Sequence, residues 1–220
     1  MSETKHDFYE SLAKSHEAED LPFWEEVYRK AFPTMLTMAN HRKDGQHQRN
    51  GIDRSVTLEN AKQIFIDEKT RWRNKKTGMV YEDIALEYLS DAQRQVPGWV
   101  CKPLMADYIA YAIAPLGKCY LLPVVQLQQV WLKYGAGWVE EGRLKKNGRR
   151  IIPAENETGN REWTTLSVNV TVDELFPKIG ACLRVEFSRY DPEQKPTEPP
   201  KLSIHSEVPE STQKSQKRLF

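Results

Sequence analysis

The sequence predicts an α/β protein in which a central mixed β-sheet is flanked by helices. Three observations support this fold class. Apolar residues repeat at helical spacing near the N-terminus, several segments between residues 54 and 124 alternate apolar and polar residues, and a further helix, strand and helix pattern follows them. The 220 residues suffice for one sizeable domain with polar ends.

The first predicted helix begins at Asp20, a residue type that caps helix N-termini, and has Pro22 in its first turn. Pro33 ends it. Its apolar face is formed by Phe23, Trp24, Val27, Tyr28, Ala31 and Phe32. The following residues 41–51 show no periodicity and are predicted to form a loop.

Strand patterns fill the middle of the chain. Residues 54–58 and 63–70 are predicted to form a hairpin across the turn at residues 59–62. Further strands are predicted at residues 83–89, 105–113 and 118–124. These segments supply the four or five strands of the predicted sheet.

The next helix is predicted to start near Val125 and to stop at Gly135 and Gly137. Residues 140–162 are predicted to form a long polar loop. After it we expect a strand at residues 163–172, a short helix capped by Asp173 and a last apolar segment, ACLRVEF.

The composition changes from residue 191 onward, where five prolines and many Ser, Glu, Lys and Gln residues leave little to bury. This composition predicts a disordered tail. The predicted organisation is therefore a polar arm at residues 1–19, one domain at residues 20–190 and a tail at residues 191–220.

Several classes of protein are disfavoured by the sequence. No apolar run approaches the ~18 residues of a membrane-spanning helix, and the acidic N-terminus lacks an apolar signal region, so a cytoplasmic location is predicted. The three cysteines are odd in number and lie in apolar or strand-like contexts, which indicates reduced thiols and not a disulfide frame or a zinc site. No phosphate-binding glycine loop and no Gly-x-Ser-x-Gly turn is present in the sequence.

The charge is unevenly distributed along the chain. The net charge is +1, but residues 1–26 hold eight acids and two bases, which leaves the remainder with a net charge of +7. The bases cluster in the runs HRKDGQHQRNGIDR, KTRWRNKK and RLKKNGRR. A single basic run is more often a solvated loop, whereas three runs favour a nucleic-acid partner. Each lysine or arginine placed on a phosphate releases condensed counterions.

An unusual group of charged residues lies at the end of the second predicted strand. Asp67, Glu68 and Lys69 follow its apolar residues, and Asp53 stands just before the neighbouring strand of the hairpin. Side chains alternate along a strand, so Asp67 and Lys69 are expected on one face. Two close carboxylates repel each other, and a divalent cation between them relieves the repulsion. The sequence therefore predicts an Mg²⁺ or Mn²⁺ site, with Lys69 placed to hold or help deprotonate a metal-bound water for phosphodiester hydrolysis.

Asp53 and the Asp67-Glu68-Lys69 triplet at a strand end, after an N-terminal helix, resemble the PD-(D/E)XK nuclease superfamily. The sequence around these residues, over roughly residues 20–187, is similar to phage and prophage members of that superfamily. The resemblance implies a restriction-endonuclease-like fold and a metal-dependent deoxyribonuclease. It implies that Asp53, Asp67 and the Glu68 carbonyl bind the metal and that Lys69 assists the attacking water. Gly51-Ile52 stands where the superfamily pattern has a Pro before the first Asp.

The acids also have a plainer explanation. An acid-acid-lysine group at a strand end is often a solvated edge or a salt-bridge cluster. Glu87, within DIALEYL, lies in mid-strand, where an unpaired acid is costly to bury. Two roles for Glu87 stay open: support of the metal site, and pairing with a basic residue of an adjacent strand.

Predicted DNA contacts come from the basic run that continues from the acids. This run supplies Arg71, Arg73 and Lys75, and Arg54 adds a further base beside Asp53. Trp72 lies between bases and is predicted either to stack on an exposed nucleobase or to pack at the sheet edge.

The chain ends in QKRLF. Gln216, Leu219 and Phe220 resemble a short peptide that docks into the bacterial DNA-polymerase sliding clamp, with Gln216 as polar anchor and the last two residues filling a pocket. Clamp tethering would raise the local concentration of a nuclease at DNA. The alternative is a chance occurrence of five residues.

The sequence thus predicts a cytoplasmic, metal-dependent DNA nuclease that is tethered to the sliding clamp. Two alternatives stay open at this point. One is a non-catalytic DNA- or clamp-binding module that keeps the nuclease fold, and the other is a structural phage protein whose acids serve salt bridges.

Overall fold

The computed structural model describes residues 6–7, 21, 23–74, 77–158 and 161–192 of the chain. Within these ranges the chain forms four α-helices and eleven β-strands, which confirms the α/β class. The helices are α1 (Phe23–Ala31), α2 (Gly45–Arg49), α3 (Val124–Arg143) and α4 (Val172–Ile179). The strands are β1 (His6–Asp7), β2 (Met35–Asn40), β3 (Arg54–Leu58), β4 (Gln63–Arg71), β5 (Asp83–Asp91), β6 (Val96–Pro97), β7 (Tyr108–Ile113), β8 (Lys118–Pro123), β9 (Ile151–Thr158), β10 (Arg161–Thr171) and β11 (Leu183–Glu186).

The described strands form two sheets, whereas the sequence predicted one. A six-stranded mixed sheet has the order β11-β8-β7-β4-β3-β2, and a five-stranded sheet has the order β1-β9-β10-β5-β6. In the six-stranded sheet β2, β3 and β4 are antiparallel neighbours, and β4 runs parallel to β7. Between β4 and β7 the chain passes through β5 and β6 of the other sheet. The connection between parallel strands is therefore made of strands and loops.

The six-stranded sheet is buried on both faces, because alternate residues of β7 enter two different cores. Ile109, Tyr111 and Ile113 pack in a core with residues of β5, β10 and α3. Ala110 and Ala112 pack in the other core, which contains the apolar face of α1. A strand that is apolar on both faces is typical of the inner strands of such a sheet.

The predicted hairpin is present in β3 and β4. The strands are antiparallel with Val56 opposite Ile64, and the Leu58 N–H closes the turn on the Lys62 carbonyl at 2.9 Å. The ladder continues one residue beyond β3, because the Asp53 N–H donates to the Ile66 carbonyl at 2.9 Å. This bond carries Asp53 alongside the middle of β4.

The prediction that Gly135 and Gly137 stop the helix is wrong, because α3 continues to Arg143. A Cβ atom at position 135 would lie 2.6 Å from the indole of Trp131, and a Cβ atom at Gly142 would lie 2.9 Å from Ile151. Gly135 and Gly142 therefore make room for neighbouring side chains. They serve packing and do not end the helix.

Two predicted loops contain regular structure. Residues 140–162 include the end of α3, all of β9 and the start of β10, and β9 escaped prediction because its faces are only half-buried. Residues 41–51 contain α2, where the Asp44 carboxylate accepts hydrogen bonds from the N–H groups of residues 46 and 47. The predicted cap of α4 also shifts, since the Thr171 side chain and not Asp173 caps the helix by accepting from the Glu174 N–H.

A buried carboxylate fixes the middle of β4 beneath α1. The Glu68 side chain is 0% exposed, and it accepts hydrogen bonds from Tyr28 Oη at 2.6 Å, from Arg54 Nε at 2.6 Å and from Arg42 Nη2 at 3.0 Å. A buried charge is tolerated only when it is paired and hydrogen-bonded. The network of these four residues, here called the Glu68 network, ties α1, β3 and the connection after β2 to one position of β4.

Loss of the Glu68 charge is expected to destabilise the fold strongly. The substitution Glu68→Gln removes the buried carboxylate charge that Arg54 and Arg42 share, which lowers the free energy of unfolding by about 3–5 kcal/mol. Urea denaturation measures the change. Glu59→Gln, on the exposed β3–β4 turn, is the matched control and is expected to stay within about 0.5 kcal/mol. A loss below about 1 kcal/mol at Glu68 would show that the network is not an anchor.

Candidate functional site

The β3–β4 hairpin brings Asp53, Asp67 and Lys69 together. The carboxylates of Asp53 and Asp67 share a hydrogen bond, and Lys69 Nζ forms an ion pair with Asp67 Oδ1. The other side of Asp53 is fixed from β4, because the Glu68 N–H donates to Asp53 Oδ2 at 2.8 Å. We call these three residues the acid–lysine site.

The acid–lysine site opens to solvent on the side of the lysine. The Asp67 side chain is 5% exposed and that of Asp53 is 17% exposed, whereas that of Lys69 is 31% exposed. A water molecule or a charged ligand therefore approaches along Lys69 and meets the carboxylates behind it.

Burial and the nearby Asp53 carboxylate raise the pKa of Asp67 to about 7, although the ammonium of Lys69 acts in the opposite direction. Burial also acts to raise the pKa of Asp53, but the charges of Lys69 and Arg42 outweigh it and lower that pKa. Near neutral pH Asp67 is therefore only partly ionised, and Asp53 carries its full charge.

Lys69 carries its full charge in this environment. Burial acts to lower its pKa, but the carboxylates of Asp67 and Asp53 outweigh burial and raise it. Glu87 on β5 adds to this effect, which places its carboxylate within electrostatic range of Lys69. Lys69 is consequently an ammonium and a hydrogen-bond donor at neutral pH.

The Glu87 carboxylate interacts electrostatically with Lys69 and Lys102. Burial raises its pKa, and Lys69, the Trp99 N–H and Lys102 partly offset the rise. Among the described residues no group of three or more His, Cys, Asp or Glu side chains is arranged to hold a metal ion. Glu87 therefore adds no third carboxylate to the pair. Two basic residues, Lys69 and Lys102, act on its carboxylate, which agrees with the second of its two predicted roles, interaction with basic residues.

The residues present fit a hard divalent cation such as Mg²⁺ or Mn²⁺. The observation that carries this is two carboxylates near enough to share a proton, one of them with its pKa raised to about 7. Mg²⁺ typically takes one or two protein carboxylates and completes its coordination with water and phosphate oxygens. Asp53 and Asp67 would be those carboxylates. The Glu68 side chain lies in the Glu68 network, so the predicted ligand from this residue is its carbonyl, which stays a prediction.

One predicted DNA contact is corrected by the structure. Arg54 is 6% exposed and its guanidinium is bound to the Glu68 carboxylate, so it does not offer its charge to a phosphate backbone. Arg71 Nη1 forms an ion pair with Asp83, which stands at the start of β5.

The remaining basic run is partly engaged as well. Arg73 pairs with Asp191 at 2.7 Å, and the Trp72 ring packs edge-on against Tyr190 at 6.0 Å between centroids. Trp72 therefore has a packing contact, which is the second of the two roles predicted for it. Lys75, like Gln216, Leu219 and Phe220, lies outside the described residues, so the DNA contact of Lys75 and the clamp-binding segment stay predictions from the sequence.

Sequence reasoning missed two residues that shape the site. Arg42 is 9% exposed and joins the Glu68 network to the site, with its Nε 3.7 Å from Asp53 Oδ1. Tyr28 lies on the apolar face of α1 and looks like a core residue until its hydroxyl is found on Glu68. The only sequence signal was the position of Arg42 within a basic run.

Comparison with known proteins yields no match to a family model, to a curated protein or to a solved structure. Among the described helices, none combines the length and the apolar character needed to cross a membrane.

The raised pKa of Asp67 predicts a pH dependence of stability. Because its folded-state pKa of about 7 exceeds the ordinary value of 3.8, the folded state binds more protons across that window and stability decreases as pH rises through it. Asp67→Asn removes this titration. We expect a flatter stability profile between about pH 4 and pH 7 and a gain on the order of a few kcal/mol at pH 8, measured by urea denaturation.

Glu87 also has a raised pKa, but it is present in both proteins, so the difference between the two profiles isolates Asp67. Parallel profiles of wild type and Asp67→Asn would contradict the strained carboxylate pair.

Proposed function

We propose that this protein is a metal-dependent DNA nuclease that hydrolyses phosphodiester bonds at the acid–lysine site. The observation that carries the proposal is the convergence of Asp53, Asp67 and Lys69 from two neighbouring strands at a partly exposed position. Those residue types in that arrangement suit a divalent cation and a phosphate.

The acid–lysine site differs from a structural ion pair of the same protein. In the Glu68 network one carboxylate meets two guanidinium groups and a hydroxyl, all deeply buried. At the acid–lysine site two carboxylates meet one ammonium, and Asp53 also lies 3.7 Å from the Arg42 guanidinium. Burial and the Asp53 carboxylate nevertheless raise the pKa of Asp67 to about 7, so its ionised form costs stability unless a further cation relieves it. Functional sites concentrate strain of this kind.

The side chains have distinct roles in the proposed reaction. A bound divalent ion supplies positive charge that polarises the phosphate and lowers the pKa of a coordinated water. Asp53, held by the Glu68 N–H, fixes one side of the site, and Asp67 releases its proton as the ion binds. Lys69 donates hydrogen bonds to the attacking water or to a phosphate oxygen, since its raised pKa keeps it an ammonium. The negative charge of Glu87 on β5 helps to keep Lys69 protonated.

A restriction-endonuclease-like arrangement is part of this proposal. Two features support it. The antiparallel pair β3–β4 carries the acids and the lysine, and α1 packs on the opposite face of the same mixed sheet. Tethering to the DNA-polymerase sliding clamp through the C-terminal segment belongs to the proposal on sequence grounds alone. The rival function is a DNA- or clamp-binding protein that lacks catalysis.

Cleavage assays test the proposal directly. With Mn²⁺, the wild-type chain is expected to cut plasmid, branched or single-stranded DNA, and Asp67→Asn and Lys69→Met are each expected to lower the rate by at least about 100-fold. Products are quantified on gels, with an RNA substrate in parallel. Lys62→Met, on the exposed hairpin turn, is the matched control and keeps the wild-type rate. Full activity in either site variant would exclude this site, and binding without any cleavage would favour the rival function.

Metal binding is expected to stabilise the folded protein in a pH-dependent way. Mn²⁺ raises the melting temperature because it binds the folded state, and the rise is larger at pH 8 than at pH 5.5 because Asp67 must first lose its proton. The shift is absent in Asp67→Asn. Thermal denaturation with and without Mn²⁺ measures it, and an equal shift in both proteins would place the metal elsewhere.

A further inference from the structure

The turn that follows β6 wraps around Glu87. The Gly98 N–H donates to the Tyr88 carbonyl at 2.9 Å, and the Val100 N–H donates to the Glu87 carbonyl at 3.2 Å. A Cβ atom at position 98 would lie 2.3 Å from the Glu87 carbonyl oxygen, so only glycine allows this close approach. The turn is therefore built against the residue whose carboxylate acts electrostatically on Lys69.

Lys102 closes this turn with a fixed backbone and an exposed side chain. Its N–H donates to the Gly98 carbonyl at 3.1 Å, and its carbonyl accepts a hydrogen bond from Gln128 Nε2 on α3 at 2.8 Å. Both backbone groups are thus occupied by the fold. The residue is exposed to solvent, and its ammonium acts on the Glu87 carboxylate.

The charge of Lys102 acts on the same group as the charge of Lys69. Both cations bear on Glu87, Lys69 from the acid–lysine site and Lys102 from the turn. Other bases that the sequence assigned to DNA are engaged: Arg54 with Glu68, Arg71 with Asp83 and Arg73 with Asp191. Lys102 is a base that the sequence analysis did not single out, and it is exposed on the turn that packs against Glu87.

We propose that Lys102 binds a backbone phosphate of the nucleic-acid strand, next to the phosphate that is held at the acid–lysine site. An ammonium is a compact charge that suits a phosphate oxygen, and its placement on a braced turn pre-organises it for that contact. The inference rests on the proposed function, because the strand is placed by the acid–lysine site. The plainer role for Lys102 is that of a counter-charge for Glu87, and salt dependence separates the two.

The test measures DNA binding by the full chain in EDTA, where metal-dependent cleavage does not occur. Fluorescence anisotropy of a labelled single strand and of a duplex is recorded from 50 to 300 mM KCl for wild type and Lys102→Gln. A lost phosphate contact reduces the slope of log affinity against log salt by about 0.7 for a single strand and about 0.9 for a duplex. Between 50 and 200 mM salt, the variant is then expected to lose roughly threefold less affinity than the wild type.

Two further variants complete the design. Lys102→Arg retains the charge and is expected to keep the wild-type slope, and Lys62→Gln, exposed on the hairpin turn, is also expected to keep it. An unchanged slope in Lys102→Gln with normal DNA binding would overturn the phosphate contact and leave the proposed function standing. A wild-type chain that binds no DNA would overturn the proposed function together with this inference.

Discussion

The burial of the Glu68 carboxylate is the constraint on which the rest of the structure depends. A charge that is fully enclosed requires hydrogen-bonding and oppositely charged partners, and Tyr28, Arg54 and Arg42 supply them from α1, β3 and the connection after β2. These contacts fix the rotation of β4, and alternation along the strand then turns Asp67 to the opposite face. The consequence reaches the site through the Glu68 backbone, whose N–H holds Asp53 in place. One residue therefore anchors the fold on one side of the sheet and orders the acids on the other.

The two charged groups of β4 illustrate opposite uses of burial. Around Glu68 the cations outnumber the anion, so the charge is satisfied and the pairing is a permanent part of the fold. Around Asp67 burial and the Asp53 carboxylate outweigh the charge of Lys69, so the pKa of Asp67 is raised to about 7. A carboxylate whose ionised form is disfavoured in this way, at a partly exposed site, is stabilised by an added cation. This contrast within three consecutive residues is the main physical support for a metal-dependent activity.

The part of the site that sequence reasoning reached was local. The proximity of Asp53, Asp67 and Lys69 could be predicted, because the hairpin turn sets which residues of the two strands are opposite each other. Side chains alternate between the two faces of a strand, which decides which of them share a face. Arg54 was misassigned because its basic character shows in the sequence and its burial does not. Gly135 was misread for a related reason, since a glycine that ends a helix and a glycine that accommodates an indole look alike until the neighbour is known. Strand β9 was missed because half-buried faces leave no clear alternation.

The sequence by itself determined the α/β class, the apolar face of α1, the β3–β4 hairpin and the acids and lysine that the hairpin carries. These features follow from periodicity and turn chemistry, which act over a few residues. Only the tertiary structure decided that there are two sheets, that Glu68 belongs to the core, and that Lys69 and Lys102 both act on Glu87. The physical reason is that pairing across long sequence separations, and the charge balance it creates, depend on which faces are buried together. No window of neighbouring residues contains that information.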